Sequence, residues 1–528
     1  MTDTIDAVEK ALTSDQKEMF DARVAREGAR LKRDIRNGQF DSDHVAVGLE
    51  LEAYMIDSNT QLATAPKTVF ELDGCSPELG VHNVELHTTP DAIGTESGDD
   101  GRGFRRQASE LHHIHDSISA HIDDTDGTLI CDSLWTIPPE SGTDTYLRAG
   151  TTERDIFFAE NVRPIPRYLA LNEVIRDENG GTIKLGLPGF DTAPSMLVES
   201  LATSIQPHLQ IPDPCDAAAY LNTAVRTMGP LLSLTANSPF LPADCYSGVS
   251  AEVATDRLAR TPHEIRIPIF ERAVDTGVEK CRVPADADDI FEIIDRIVTD
   301  PTLVASSTLE TPVPTADAEP CDLSAFPTKR GTYWRWVRPV FCGQTPRDGS
   351  EATAVPTDHT NHTDHASVRV EYRPLPTQPT IRDTIGVQAV VAGVLYGAVT
   401  TDHPIEALSW DDAEKSFYAA VADGPTATLA WVDDDGTYQT NQDAIYDDLF
   451  SLARRGLSAL NVSNETIEWA LTPIESRRDG PYQTPSEWKR NHVEQALSAG
   501  TPLPAAITQM QKTYIEYAKQ EIPFTEWS

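Results

Sequence analysis

Four short stretches of the chain carry side chains whose types and spacing suit work on phosphate and metal. "VGLELEAYMID" at 47–57 sets Glu50 and Glu52 two residues apart among apolar neighbours, and "VHNVELHTT" at 81–89 sets Glu85 between Val84 and Leu86. "SIQPHLQI" at 204–211 spaces Gln206, His208 and Gln210 by two, and "SVRVEYRPL" at 367–375 does the same for Arg369, Glu371 and Arg373. Residues two apart in a β-strand share a face. Each stretch therefore reads as a strand with one apolar and one polar face, allowing for an irregularity at Pro207. Joined in one sheet, the polar faces would present Glu50, Glu52, Glu85, Glu371, Gln206, His208, Arg369 and Arg373 together.

Two carboxylates roughly 7 Å apart repel each other, and burying either one uncompensated costs several kcal/mol. Such a face needs cations or open water. Carboxylates with a histidine at short range form an oxygen-rich set that suits Mg²⁺ or Mn²⁺. Arginines grip phosphate bidentately. Metal ligands beside arginines suggest transfer of a nucleotide phosphoryl group. Taken singly, an E-x-E strand is a solvated sheet face and an R-x-E-x-R strand is a cross-strand salt-bridge ladder. Their joint occurrence opposite apolar faces favours the site, and spacing alone leaves the two readings level.

The elements that must position these residues follow from periodicity. Residues 15–37 place Met19, Phe20, Val24, Leu31 and Ile35 among charges, which predicts an amphipathic helix ended by Asn37-Gly38. "GTLICDSLWTIPP" reads as a strand, and "AAAYLNTAVRTMGPLLSLTANSPFL" as a long helix interrupted near Gly229-Pro230. "TYWRWVRPVF" is strand-like, and "TIRDTIGVQAVVAGVLYGAVT" predicts a buried helix. Residues 302–330 and 343–366 read as polar surface insertions. The pattern from 406 onward is helical. Strands mixed with helices, followed by an all-helical tail, give an α+β class. The expected organisation is a helical segment at 1–44, a catalytic domain at 45–405 and a helical extension at 406–528.

The bulk properties exclude several functions. A net charge of −40, from 83 acidic and 43 basic residues, supplies no basic footprint for nucleic acid. The aromatic and apolar content argues for folding, so the acidic shell reads as adaptation to a salt-rich, halophilic interior. Seven scattered cysteines without a CxxC pair read as reduced structural thiols. With no signal-like N-terminus and no uninterrupted apolar stretch of about 18 residues, a cytoplasmic chain without membrane partners is expected. A homo-oligomer is compatible with the sequence. His359, His362 and His365 in "DHTNHTDH" read as a solvated loop, and Cys131 as a packed strand cysteine.

Seven segments, in order, carry a family resemblance across residues 45–400. "VGLELEAYMID" resembles the G-x-E-x-E strand opening the glutamate–cysteine ligase superfamily, which includes a carboxylate–amine ligase branch. "NVELHTTP" is similar to its second acidic strand, "PRYLALNEVI" to its P-R-Y segment and "TSIQPHLQI" to its T-x-Q-x-N/H strand. "LLSLTANSPFL" resembles its A-x-S-P-F/Y helix end, and "IRIPIFERAVDTG" its R-x-x-x-W…D-x-x-R-T-G stretch without the tryptophan. "TYWRWVRP" with "SVRVEYRPLPTQPT" resembles its W-x-x-R-P and V-E-x-R strand pair.

The resemblance implies a glutamine-synthetase-like, mostly antiparallel curved sheet with flanking helices. It implies ATP as co-substrate, with Mg²⁺ or Mn²⁺, and small-molecule substrates: an amino-acid carboxylate and an amine. Carried over, Glu50, Glu52, Glu85, Glu371 and His208 would be metal ligands. Gln206 and Arg369 would bind nucleotide phosphate, Arg373 and Arg338 would be catalytic, and Arg266 would hold the substrate carboxylate. The implied activity is an ATP-dependent carbon–nitrogen ligase forming a γ-glutamyl amide through an acyl phosphate. Pro376, where the family has aspartate, and "CDSLWTIPP", which lacks the family's histidine, leave a second reading. In it the chain is a divergent or inactive relative that binds nucleotide or metal as a regulator or scaffold.

Overall fold

The computed structural model describes residues 2–93, 102–122, 127–305, 319–346 and 365–527. Its centre is a curled antiparallel sheet of eight strands. In chain order these are β1 (Val45–Ile56), β2 (Cys75–Pro77), β3 (Asn83–His87), β4 (Asp91–Ile93), β5 (Thr128–Ile130), β6 (Ile205–Ile211), β7 (Val337–Gly343) and β8 (His365–Tyr372). The spatial order is β7-β8-β6-β1-β3-β2, and β4 and β5 pair with the two ends of the long β1. The α+β class and the curved antiparallel sheet expected from the sequence are the ones observed.

Period-2 alternation explains the sheet's two faces. Leu49, Leu51 and Ala53 are buried, whereas Glu50 and Glu52 between them are half-buried. Val84 and Leu86 on β3, Ile205, Leu209 and Ile211 on β6, and Val368, Val370 and Tyr372 on β8 join the same core. The register runs evenly through Pro207, which lies opposite Leu49, so no irregularity is needed there.

Against the apolar face lies the helix Ile381–Thr400, whose Gln388 Nε2 donates to the carbonyl of Gly48 at 2.9 Å. It is long and apolar enough to cross a membrane, but its 18-residue apolar window is 83% buried inside the fold, as a core helix is. The helix Gln442–Ala459 packs so closely on it that a Cβ on Gly456 would lie 2.0 Å from the Gly393 carbonyl oxygen. The helices after residue 406 thus share the core of the sheet. Lys489 Nζ reaches Asp132 Oδ1 at 2.5 Å, and Gln511 Nε2 reaches Asp132 Oδ2 at 2.6 Å, tying the last helices to the loop after β5.

Several local expectations are corrected. The helix Ala217–Thr235 continues through Pro230, because burial along its whole length outweighs the one backbone hydrogen bond that proline removes. Only Thr128–Ile130 of the segment read as a strand is one; the rest is loop. The C-terminal part of the insertion at 302–330 is no free excursion: Ala325–Arg330 is helical and packs on the helix Ser14–Arg36. Two cysteines read as reduced thiols, Cys321 and Cys342, form a disulfide; their separation carries no local motif. His359 and His362 lie outside the described residues, and His365 opens β8.

Candidate active site

Strand register sorts the polar face into rows. Arg338, Glu371, His208 and Gly48 lie opposite one another across β7, β8, β6 and β1. The next row runs Gln206, Glu50, His87, and the one beyond it pairs Glu52 with Glu85 and then Ser76. In the other direction Val340, Arg369, Gln210 and Ala46 are aligned. The sheet therefore carries guanidiniums at its β7–β8 edge and carboxylates toward β3 and β2.

At the acidic end, Glu52 accepts from the Ser204 backbone N–H at 2.7 Å and from Gln206 Nε2 at 3.2 Å. Ser76 Oγ donates to Glu85 Oε2 at 2.7 Å. Two further carboxylates arrive from outside the strands: Glu78, just after β2, and Glu199, in the turn Met196–Leu201. Burial, followed by repulsion from Glu52 and Glu50, pushes the Glu78 carboxyl up to about 7. Burial and neighbouring carboxylates hold Glu85 and Glu199 well above the usual range, and burial raises Glu52. The helix Pro166–Glu178 brings up Tyr168, whose phenol is driven upward first by burial and then by Glu78, Glu85 and Glu199. It is a neutral hydroxyl facing anions.

At the basic end the one carboxylate, Glu371, is fully compensated. Glu371 accepts from Arg338 through Nε and, at 3.0 Å, Nη2; Arg373 Nη1 lies at 3.0 Å and Arg330 Nη1 at 3.4 Å. Burial alone would raise its carboxyl, but the guanidiniums of Arg338, Arg373 and Arg330 hold it well below the ordinary range. Arg369 donates from Nε to His208 Nδ1 at 2.8 Å and from Nη1 to the Cys342 carbonyl at 2.8 Å. Arginine only donates, so neutral His208 carries its proton on Nε2, 3.5 Å from Glu50 Oε1. Burial, then the charge of Arg369, lowers this imidazole to about 4.

The two ends meet in the middle. Ligand atoms of Glu50, His208 and Glu371 lie within 4.8 Å of one another. Gln206 bridges the halves, accepting from Arg373 through Oε1 while donating to Glu52. Of the sequence-nominated residues, Glu50, Glu52, Glu85, Gln206, His208, Arg338, Arg369, Glu371 and Arg373 share this face. Arg266 is placed differently. It is 3% exposed, donates from Nη2 to the Pro374 carbonyl, and sets Nε 3.4 Å from Glu264 Oε1. Its fork supports the backbone next to Arg373.

Glu78, Glu199 and Arg330 were not found by strand periodicity because none lies in a strand. A lone glutamate inside the apolar run "SMLVESL" is the signal that would have found Glu199. Cys131 is buried, and burial drives its thiol well up, as expected of a packed, unreactive cysteine.

The model of glutamate-cysteine ligase family 2 matches residues 46–520, and the chain belongs to that family. The match takes in the helices after residue 406 and leaves out the first two helices. Among solved structures, the bifunctional glutathione synthetase from Pasteurella multocida is similar in fold, with a TM-score of 0.51 at 12% identity over 94% of this chain. The present chain spans 55% of the length of that protein. The glutamate–cysteine ligase from Francisella tularensis, in complex with AMP, gives a TM-score of 0.43 at 12% identity, covering 91% of this chain and 90% of the other. No curated protein sequence matches the chain.

Proposed function

We propose that the chain is an ATP-dependent carboxylate–amine ligase, joining the γ-carboxylate of glutamate to an amine, with cysteine the first amine to test. The observation that carries this reading is the charge division of one sheet face, with unneutralised carboxylates at one end and guanidiniums at the other. The donor set fits divalent cations: burial pushes Glu52, Glu85, Glu78 and Glu199 toward the protonated form, and neighbouring carboxylates push Glu85, Glu78 and Glu199 further, which is what carboxylates do when the chain supplies too few cations to neutralise them. Glu50, Glu52 and Glu85, with Glu78 and Glu199, would hold Mg²⁺ or Mn²⁺. Glu371 and His208, nominated with them, lie where the two halves meet, and their present partners are arginines. When bound, the cations would neutralise phosphate oxygens.

The chain's own residues do the rest. Arg338 and Arg373 are aligned by Glu371 and present fixed N–H donors to a phosphoryl group, stabilising charge that builds on its oxygens. Gln206 and Arg369 flank that position. A γ-carboxylate oxygen attacks the terminal phosphorus of ATP and ADP leaves. The amine nitrogen then attacks the acyl carbon, the C–O bond to phosphate breaks, and the amine proton passes to solvent. A carboxylate is a poor electrophile at neutral pH, and phosphorylation supplies the leaving group it lacks.

The test is ADP and phosphate release by the purified chain with glutamate, Mg²⁺, high salt and a panel of amines including cysteine. Stoichiometric ADP and amide formation supports the ligase. Nucleotide binding without turnover on any amine would replace it by the non-catalytic, nucleotide-binding relative.

A further inference from the structure

The helix Ser14–Arg36 lies outside the family-matched residues, yet it reaches the site through one hand-off. Glu27, 3% exposed, accepts from the backbone N–H groups of Ser324 at 3.1 Å, Ala325 at 2.8 Å and Phe326 at 2.7 Å. Arg23 Nε holds its other oxygen at 3.0 Å. A carboxylate on the free N–H groups of a first turn is the stabilising polarity for a helix end, and a six-residue helix has little else to fix it. Lys329 adds a second tie, from Nζ to Asp21 Oδ1 at 3.0 Å.

The far end of this short helix is in the site. The Arg330 carbonyl accepts from Arg338 Nη1 at 3.0 Å, and Arg330 Nη1 lies 3.4 Å from Glu371 Oε2. Among the described residues, Arg330 Nε and Nη2 make no hydrogen bond, and the side chain retains 20% exposure. Arg330, Arg338 and Arg373 share one carboxylate, so cationic charge is left over, with free donors on Arg330.

We propose that Arg330 is a further polyphosphate-binding residue, and that Glu27 is the positioning residue that sets it there through the helix Ala325–Arg330. The ligand class rests on the reading of this face as a nucleotide-phosphate site. The N-terminal helix is then part of the site's construction rather than an appendage.

The test titrates inorganic tripolyphosphate with Mg²⁺ into the full chain calorimetrically, alongside the ADP-release assay. Arg330→Ala weakens tripolyphosphate binding about tenfold, and Arg330→Lys recovers part of the loss. Glu27→Gln weakens it about threefold, and in that background Arg330→Ala costs less than it does in the wild type. A merely structural Glu27 would lower the melting temperature and leave the Arg330 effect whole. If Arg330→Ala does not fold, Arg330→Gln is read the same way. Equal affinities of the wild type and the Arg330 variant, no binding by the wild type, or full additivity with Glu27→Gln overturns the proposal. Arg330-dependent binding without turnover keeps it and removes the ligase reading. Turnover with Arg330-independent binding does the reverse.

Discussion

Glu85 and Glu371 stand on the same face of one sheet, with two strands between them, and their carboxyls are driven in opposite directions. Both are removed from bulk water, which by itself favours the neutral acid. Glu371 meets Arg338, Arg373 and Arg330 and stays ionised. Glu85 meets Glu50, Glu78 and Glu52 and is held toward protonation. One half of the face has its counter-ions built into the chain; the other must obtain them from solution. On the proposed ligase reading this difference corresponds to two roles: fixed guanidiniums for an anionic ligand, and a carboxylate nest that cations would complete.

The largest expected effect tests the incomplete half. Glu52→Gln keeps an acceptor for the Ser204 N–H and removes a negative charge, so turnover falls by a factor on the order of 10²–10³ while the melting temperature without divalent ions is unchanged or higher. Equal loss of activity and of stability would mean that Glu52 is structural. The next largest is a pH effect. Glu78 has a folded value of about 7 against an ordinary 4.5. Between those values the folded chain keeps a proton that the unfolded chain has released, so this group's stabilisation is fullest below about 4.5 and is lost as pH rises to about 7. In EDTA, wild type relative to Glu78→Gln should lose on the order of 1–3 kcal/mol of stability across that window. Saturating Mg²⁺ should flatten the difference, measured as paired denaturation curves at each pH. A difference that ignores Mg²⁺ would separate Glu78 from the cation set.

How much of this was legible before the structure follows from the kind of signal each residue carries. Glu50, Glu52, Glu85, Gln206, His208, Arg369, Glu371 and Arg373 were legible because strands impose a period of two and each has apolar neighbours on the opposite face. Register was not: that Glu371 faces Arg338 is decided by pairing across 33 residues, and that it faces His208 by pairing between segments more than a hundred residues apart. Glu78, Glu199 and Arg330 come from turns and a short helix, which have no period to read. The C-terminal part of the excursion expected at 302–330 packs as the helix Ala325–Arg330 on a buried glutamate, Glu27, far away in sequence. Pro230 was read as a break because local propensity cannot see a helix buried on all sides.

Smaller effects sharpen the compensated half. Arg266 was nominated as a ligand for substrate carboxylate; in the structure its Nη2 donates to the Pro374 carbonyl and its Nε lies 3.4 Å from Glu264 Oε1. Arg266→Lys keeps the charge and loses the fork. The expected outcome is a loss of about 1–2 kcal/mol in unfolding free energy, with the KM for the amino-acid carboxylate within about threefold of wild type. A large rise in that KM at unchanged stability would support the substrate-carboxylate assignment instead.

The smallest change concerns Gly343, where a Cβ would lie 2.0 Å from Arg369 Nη1. The clash is with the end of a flexible side chain, so Gly343→Ala should leave the backbone in place and move Arg369 off the Cys342 carbonyl and off His208. His208 then loses the donor that fixes its tautomer and the nearby positive charge that, after burial, lowers its value to about 4. Its pKa should rise, though not to that of an exposed histidine, because burial is the larger cause. The fold should lose less than about 1 kcal/mol and turnover less than about tenfold. Imidazole nitrogen shifts across a pH titration read the tautomer and the pKa directly. An unchanged His208 spectrum would show that Arg369 governs neither its tautomer nor its pKa.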